Sequence, residues 1–73
     1  MAHLSPAVLL HDRGDLESAE ALYRESLALT RRVVGKDHPD VATGLNNLAA
    51  LMYDRDRLDA AEPLYRESVE MMR

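Results

Sequence analysis

Apolar residues recur every three or four positions along most of this chain, which is the spacing expected for one face of an α-helix. Between residues 39 and 54 the apolar stripe is Val41, Leu45, Leu48 and Met52, and small or polar side chains occupy the opposite face. Two further stripes follow the same rule, and the pattern predicts three long amphipathic helices with a shorter one before them. The first of these stripes is Leu16, Ala19, Tyr23, Ser26, Thr30 and Val33, and Leu22 and Leu29 widen it. The second is Leu58, Ala61, Tyr65, Ser68 and Met72.

Short turns separate the predicted helices. Gly14 suits a tight helix-to-helix turn because glycine adopts positive φ without strain, whereas Asp56 at the equivalent place tolerates that conformation less well. Gly35 stops the helix that precedes it, and Asp37 or His38 caps the helix that follows. We therefore expect four helices arranged as two hairpins.

The chain contains an internal repeat with an offset of 42 residues. Residues 16–26, LESAEALYRES, align with residues 58–68, LDAAEPLYRES, and eight of the 11 aligned pairs are identical. A period between about 20 and 50 residues is typical of stacked supersecondary units. In this alignment the first helix lacks the leading turns of the third, so we expect a piece of a longer stack, about one and a half to two repeats long.

The expected fold class is all-α, with antiparallel hairpins at residues 4–34 and 38–73 in a single domain over residues 1–73. One hairpin cannot bury its apolar stripe alone, so the two must pack on each other. A chain of 73 residues is long enough for one small core and too short for two.

Composition removes several classes of function. Nine Lys and Arg against 13 Asp and Glu give a net charge of −4, which disfavours binding to nucleic acid or to an anionic membrane. The absence of cysteine removes disulfides, thiol nucleophiles and thiolate zinc sites. No apolar run approaches the roughly 20 residues that span a bilayer, and the start lacks the features of a signal peptide. We expect a soluble, cytoplasmic chain.

No group of residues in the sequence predicts catalysis. His11 and Asp12 form a pair that some metal sites use, but the other histidines do not lie at a helical ligand spacing from it. Ser26 and Ser68 have no neighbouring base, and we expect them to lie in the seam where two helices pack. We therefore predict no enzyme activity, no metal and no cofactor.

Four parts of the chain carry a family resemblance: Asp37-His38-Pro39-Asp40-Val41-Ala42, Leu45-Asn46-Asn47-Leu48-Ala49, Leu58, and Ala61-Glu62-Pro63-Leu64-Tyr65. Together they resemble tetratricopeptide repeats of the 42-residue, kinesin-light-chain type. The family usually has an aromatic residue where Met52 stands and glycine where Asp56 stands, so the match is not complete. The resemblance implies a right-handed α-solenoid that binds peptides or helices in the groove lined by the first helix of each hairpin, without catalysis.

The residues themselves favour the same binding face. In stacked hairpins the side of each first helix that lies opposite its apolar stripe remains open. Asparagine amides both donate to and accept from a peptide backbone, and a tyrosine ring adds a flat amphipathic surface. A plain solvated helix face is the alternative reading of the same pattern. The predicted binding residues are Thr43, Asn46, Asn47, Ala50, Tyr53 and Asp54, with Val8, His11 and Asp12 one repeat earlier.

A second function stays open, namely a structural unit that assembles with copies of itself. The last helix carries apolar residues on a second side, which would meet water where no further hairpin covers it. We expect such an end to pair, so that the chain forms a homo-oligomer. The residues predicted to associate are Leu64, Val69, Met71 and Met72.

Overall fold

In a computed structural model the described part of the chain, residues 6–72, forms four helices and no strand. Each helix packs against the next along the chain. Helices account for 84% of the described residues, which confirms the all-α prediction. The helices are α1 (Pro6–Asp12), α2 (Leu16–Val34), α3 (Pro39–Asp54) and α4 (Leu58–Met71).

Helix α3 forms the centre of the core. The predicted stripe of Val41, Leu45, Leu48 and Met52 is fully buried, as expected. The helix also buries Ala42, Ala49 and Leu51, because α2 packs on one side of it and α4 on the other. Burial of each large aliphatic side chain contributes about 1.5–3 kcal/mol relative to an exposed one.

The turns confirm the positions predicted for them. Gly14 and Gly35 have φ of +84° and +90°, and Asp56, at the place equivalent to Gly14, has φ of +60°. His38 caps α3, since its Nδ1 accepts the backbone N–H of Asp40 at 3.0 Å. Short turns therefore set the direction in which each helix returns along its neighbour.

Helix α2 departs from its predicted stripe beyond Tyr23. Ser26 is exposed and Val33 is 73% exposed, whereas Leu27, which the stripe omitted, is buried. A β-carbon on Gly44 would lie 2.9 Å from Cδ1 of Leu27, so the bare glycine backbone lets α3 approach this side chain closely. The prediction for the second half of α2 was wrong because Leu27, and not Ser26 or Val33, is the side chain that contacts α3 there.

The end of helix α4 also differs from expectation. The pattern placed Met72 toward its own hairpin, but Met72 is 65% exposed and Met71 packs against the core. The helix ends at Met71, so Met72 no longer follows the helical spacing of the apolar stripe. Within the helix Ala61 and Ser68 are buried, while Tyr65 is only partly so.

A buried hydroxyl joins the two helices of the second hairpin. Ser68 Oγ donates to the carbonyl oxygen of Ala42 at 3.0 Å, and Ser68 is completely buried. Its repeat counterpart Ser26 is exposed. The two serines thus occupy the same position in the repeat with opposite environments.

We expect Ser68→Ala to lower the free energy of unfolding by about 1 kcal/mol more than Ser26→Ala does. Alanine gains the same helix propensity at both positions, so the difference between the variants isolates the hydrogen bond and the packing around it. Urea denaturation followed by circular dichroism measures both. Equal effects of the two substitutions would contradict the assignment.

Candidate functional site

The predicted binding residues of α3 lie along one face of the helix, opposite its buried stripe. Thr43, Asn46, Tyr53 and Asp54 are exposed, and Asn47 and Ala50 are half-buried. Tyr53 is 62% exposed, although it immediately follows a fully buried methionine. The 3.6-residue period explains this contrast, because consecutive residues of a helix point in directions about 100° apart.

Helix α1 contributes the remaining predicted residues. Val8 and His11 are half-buried and Asp12 is exposed. His11 Nε2 lies 2.5 Å from Oδ2 of Asp54, and its Nδ1 lies 3.3 Å from the hydroxyl oxygen of Tyr23. With the ring proton on Nε2, the imidazole donates to the carboxylate and accepts from the phenol.

His11 therefore connects three helices. Its ring also meets the ring of Tyr23 edge to face, with centroids 6.0 Å apart. The structure thus brings together His11 and Asp54, which the sequence placed on the same face, and turns them toward each other. The contact joins the two hairpins, so the sequence of either helix alone does not predict it.

A second polar connection between the hairpins centres on Glu20. Arg24 Nε donates to this carboxylate at 2.9 Å, as its i,i+4 spacing predicts, and Arg55 Nη1 donates to it at 2.8 Å. The hydrogen bond from Arg24 holds the pKa of Glu20 below its ordinary value of 4.5, partial burial opposes the shift, and the charge of Arg55 adds to it. Nothing in the sequence pattern indicated the contact with Arg55.

Tyr23 belongs to the core and not to a binding surface. The residue is buried, which raises the pKa of its phenol above the ordinary value of 10.0, and the Asp12 carboxylate raises it further. The hydroxyl therefore stays protonated at neutral pH and can donate to His11. Its repeat counterpart Tyr65 is only partly buried, so the two tyrosines are not equivalent.

An open groove of about 400 Å³ lies beside the start of α1, between α2 and α3. The sequence pattern gives no sign of this groove, because it predicts Ser26 in the seam between two packed helices. The exposure of Ser26 corrects that expectation. Two predicted binding residues, Thr43 and Asn47, also line the groove; its other walls include Pro6, Leu22, Glu25, Ser26, Leu29, Thr30 and Asp40.

The residues predicted to self-associate divide into two groups. Val69 and Met72 are 51% and 65% exposed. Leu64 and Met71 are partly buried and pack against the molecule's own core. The apolar surface at the end of α4 is thus narrower than the sequence indicated.

Among residues 6–72, no group of three or more His, Cys, Asp or Glu side chains could hold a metal ion. Within the same range, none of the helices has the length and apolar character needed to cross a bilayer.

Comparison with known families decides the classification. The family model described as tetratricopeptide repeat matches residues 4–73. This chain belongs to the tetratricopeptide repeat family. Repeats of this family are generally protein–protein interaction modules. A search of curated proteins found no match. The finer likeness to kinesin-light-chain repeats stays a prediction.

The lowered pKa of Glu20 leads to a pH-dependent effect on stability. Ionised Glu20 stabilises the folded repeat pair fully above its ordinary pKa of 4.5, and this contribution is lost as the pH falls through the lower folded pKa. We expect Glu20→Gln to cost about 1 kcal/mol at pH 7, and the difference from the unsubstituted chain to disappear in acid.

The matched control is Glu62→Gln, at the same position in the second repeat. Glu62 pairs only with Arg66 at 3.1 Å, and both side chains are well exposed. This substitution should cost less than about 0.5 kcal/mol at pH 7. Denaturation midpoints measured from pH 3 to pH 7 test both expectations, and a pH-independent effect of Glu20→Gln would contradict the proposed cause.

Proposed function

We propose that this tetratricopeptide repeat chain is a non-catalytic module that binds an extended peptide or a helix along the polar face of α1 and α3. One observation supports this most strongly. Asn46 and Tyr53 are exposed on a helix whose opposite side is fully buried, so the core does not use them. Large exposed aromatic residues beside amides are typical of binding surfaces.

The side chains of this face suit the recognition of a peptide backbone. The amides of Asn46 and Asn47 each offer donors and an acceptor, which match backbone C=O and N–H groups whatever side chains the peptide carries. The ring of Tyr53 offers a flat apolar area at little cost in conformational entropy.

The face is also held in place before any ligand arrives. The contact between His11 and Asp54 joins α1 to α3, and it brings residues of the two helices side by side. Preorganisation of this kind lowers the entropic cost of binding. Asp12 and Asp54 are the only acidic residues among the nine predicted, and none of the nine is Lys or Arg, so a partner peptide with basic residues fits best.

The expected partner is a protein or a peptide, and not nucleic acid or a membrane, because the chain carries an excess of four negative charges. Action in the cytoplasm and the absence of catalysis and cofactors stay predictions from the composition and the family.

We expect Asn46→Ala combined with Tyr53→Ala to weaken peptide binding at least about tenfold, which corresponds to roughly 1.4 kcal/mol. Both side chains are exposed, so the thermal midpoint should change little. An array of 12-residue peptides rich in Lys and Arg would provide ligands, whose affinities are then measured by fluorescence anisotropy.

The control for this experiment is Asp59→Ala. Asp59 is well exposed on α4, away from the proposed face. Affinity should be unchanged in this variant. If the Asn46 and Tyr53 substitutions unfolded the chain, or left the affinity intact, the assignment of the binding face would be wrong.

The exposed end of α4 supports a second candidate function, self-assembly. Val69 and Met72 present apolar surface at one end of the molecule, with Leu58 exposed at the other end of the same helix. Two copies that paired through these residues would remove that surface from water.

If the chain self-associates, Val69→Glu with Met72→Glu should weaken the association without changing the helix content, because both residues are exposed. Sedimentation equilibrium over a range of concentrations measures this, with Glu70→Gln on the same helix as the control. A single 8.2 kDa species up to about millimolar concentration would exclude self-assembly.

A further inference from the structure

The carboxylate of Asp54 lies on the proposed peptide-binding face and is held there by a residue of the other hairpin. His11 Nε2 lies 2.5 Å from its Oδ2. The side chain of Asp54 is 53% exposed, whereas that of His11 is 17% exposed. Because a carboxylate accepts several hydrogen bonds, the contact with His11 leaves Asp54 able to accept from a ligand on the exposed side.

Tyr23 determines which nitrogen of the His11 ring faces the carboxylate with a proton. Its hydroxyl oxygen lies 3.3 Å from His11 Nδ1. Burial raises the pKa of this phenol, and the Asp12 carboxylate raises it further, so the hydroxyl keeps its proton and donates it to Nδ1. An uncharged imidazole that accepts at Nδ1 carries its own proton on Nε2, the nitrogen beside Asp54. The hydrogen bonds therefore run in one direction, from Tyr23 through His11 to Asp54.

This arrangement orients the negative charge of Asp54 without cancelling it. An uncharged imidazole donates a hydrogen bond but brings no positive charge. The imidazole is itself held in place, because its ring meets the ring of buried Tyr23 edge to face. A carboxylate that is already oriented loses less conformational entropy when a ligand binds to it.

The position of Asp54 on α3 indicates which part of a peptide meets it. Asn47 and Asp54 are seven residues apart, about two turns, so they lie on the same side of the helix. The rise between them is about 10 Å, which about three residues of an extended peptide span. A peptide whose backbone contacts Asn47 therefore places a side chain about three residues further along beside Asp54.

We infer that Asp54 is the specificity-determining residue of the face, which selects one Lys or Arg side chain of the bound peptide, and that His11 and Tyr23 are positioning residues that act through it. Hydrogen bonds between a cationic donor and a carboxylate are stronger than neutral ones, which gives the selection its energy. The inference rests on the proposed function, because it concerns the same face. It assigns the preference for basic peptides to one oriented carboxylate and not to the summed charge of the face.

The probe is the strongest-binding 12-residue peptide of the array rich in Lys and Arg. In a set of derived peptides each Lys in turn is replaced by norleucine, or each Arg by citrulline, which removes the charge and keeps the approximate shape. We define the charge preference at a peptide position as the affinity of the parent peptide divided by that of the neutral version. Fluorescence anisotropy with the intact chain should show a charge preference of about five- to tenfold at one position.

Two substitutions of aspartate test whether one carboxylate is responsible. Asp54→Asn should lower the charge preference at that position to within about twofold of unity. Asp12→Asn removes the same charge from the same face and should lower it by less than about twofold. The pair Asn46→Ala and Tyr53→Ala should weaken the parent and neutral peptides alike, so their ratio should change little.

Substitutions of His11 test the positioning role. His11→Leu should lower the charge preference about two- to fivefold, because the carboxylate is no longer oriented. His11→Gln keeps an N–H donor on a side chain of similar reach and should restore the preference to within about twofold of the original value. A loss of stability does not imitate this result, because partial unfolding weakens both peptides by the same factor and leaves their ratio unchanged.

The matched control is His38→Leu, which removes another histidine beside an aspartate. His38 Nδ1 lies 3.6 Å from Oδ2 of Asp40 and also caps α3, away from Asp54. Its loss should lower the thermal midpoint and leave the charge preference unchanged.

Tyr23 is tested by removing only its hydroxyl group. Tyr23→Phe keeps the ring that packs against His11 and should lower the charge preference about twofold, since nothing then fixes the ring proton on Nε2. Tyr65→Phe, at the same position in the second repeat, should leave it unchanged.

The results distinguish a failure of this inference from a failure of the proposed function. If no peptide binds, or if Asn46→Ala with Tyr53→Ala leaves the affinity intact, the proposed face is wrong and the inference falls with it. If that pair weakens binding but Asp54→Asn keeps the charge preference, or Asp12→Asn lowers it equally, only the inference is overturned. A charge preference that rises in His11→Leu would also overturn it, because the imidazole would then compete with the ligand for the carboxylate.

Discussion

The position of α3 between α2 and α4 is the constraint on which the rest of the molecule depends. Seven residues of this helix are buried, and they face both neighbours. The same packing therefore produces the core and leaves the polar face with Asn46 and Tyr53 open to solvent.

Helix α3 packs between α2 and α4, and the surfaces that α2 and α4 leave open differ in character. Helix α2 leaves a groove with an apolar floor, a free position for Ser26 and two acidic residues. Helix α4 leaves Val69 and Met72 exposed, and a surface pocket of about 310 Å³ beside it is lined by Glu67, Glu70 and Met71 together with Lys36 and Asp37. The groove beside α2 thus combines apolar and acidic side chains, whereas the exposed surface near the end of α4 is apolar.

Polar contacts between the hairpins set their relative orientation. Three contacts each join a residue of the first hairpin to a residue of the second. They are His11 with Asp54, Glu20 with Arg55, and Arg31 with Glu67, in which Arg31 Nη2 donates to Oε2 of Glu67 at 3.1 Å. Apolar packing alone is non-directional, so such contacts distinguish one arrangement of the hairpins from its neighbours. Each of them joins residues at least 35 positions apart in the chain.

The sequence by itself determined the helices, their turns, the repeat of 42 residues and the exposed face of α3. All of these follow from local periodicity and from the backbone preferences of residues such as Gly14 and Gly35. Only the tertiary structure decided the pairing of His11 with Asp54, the contact of Leu27 with Gly44 and the different environments of Ser26 and Ser68. The last case gives the reason. Both serines follow the same Leu-Tyr-Arg-Glu segment, but burial depends on which helix lies across them, and a local pattern does not contain that information.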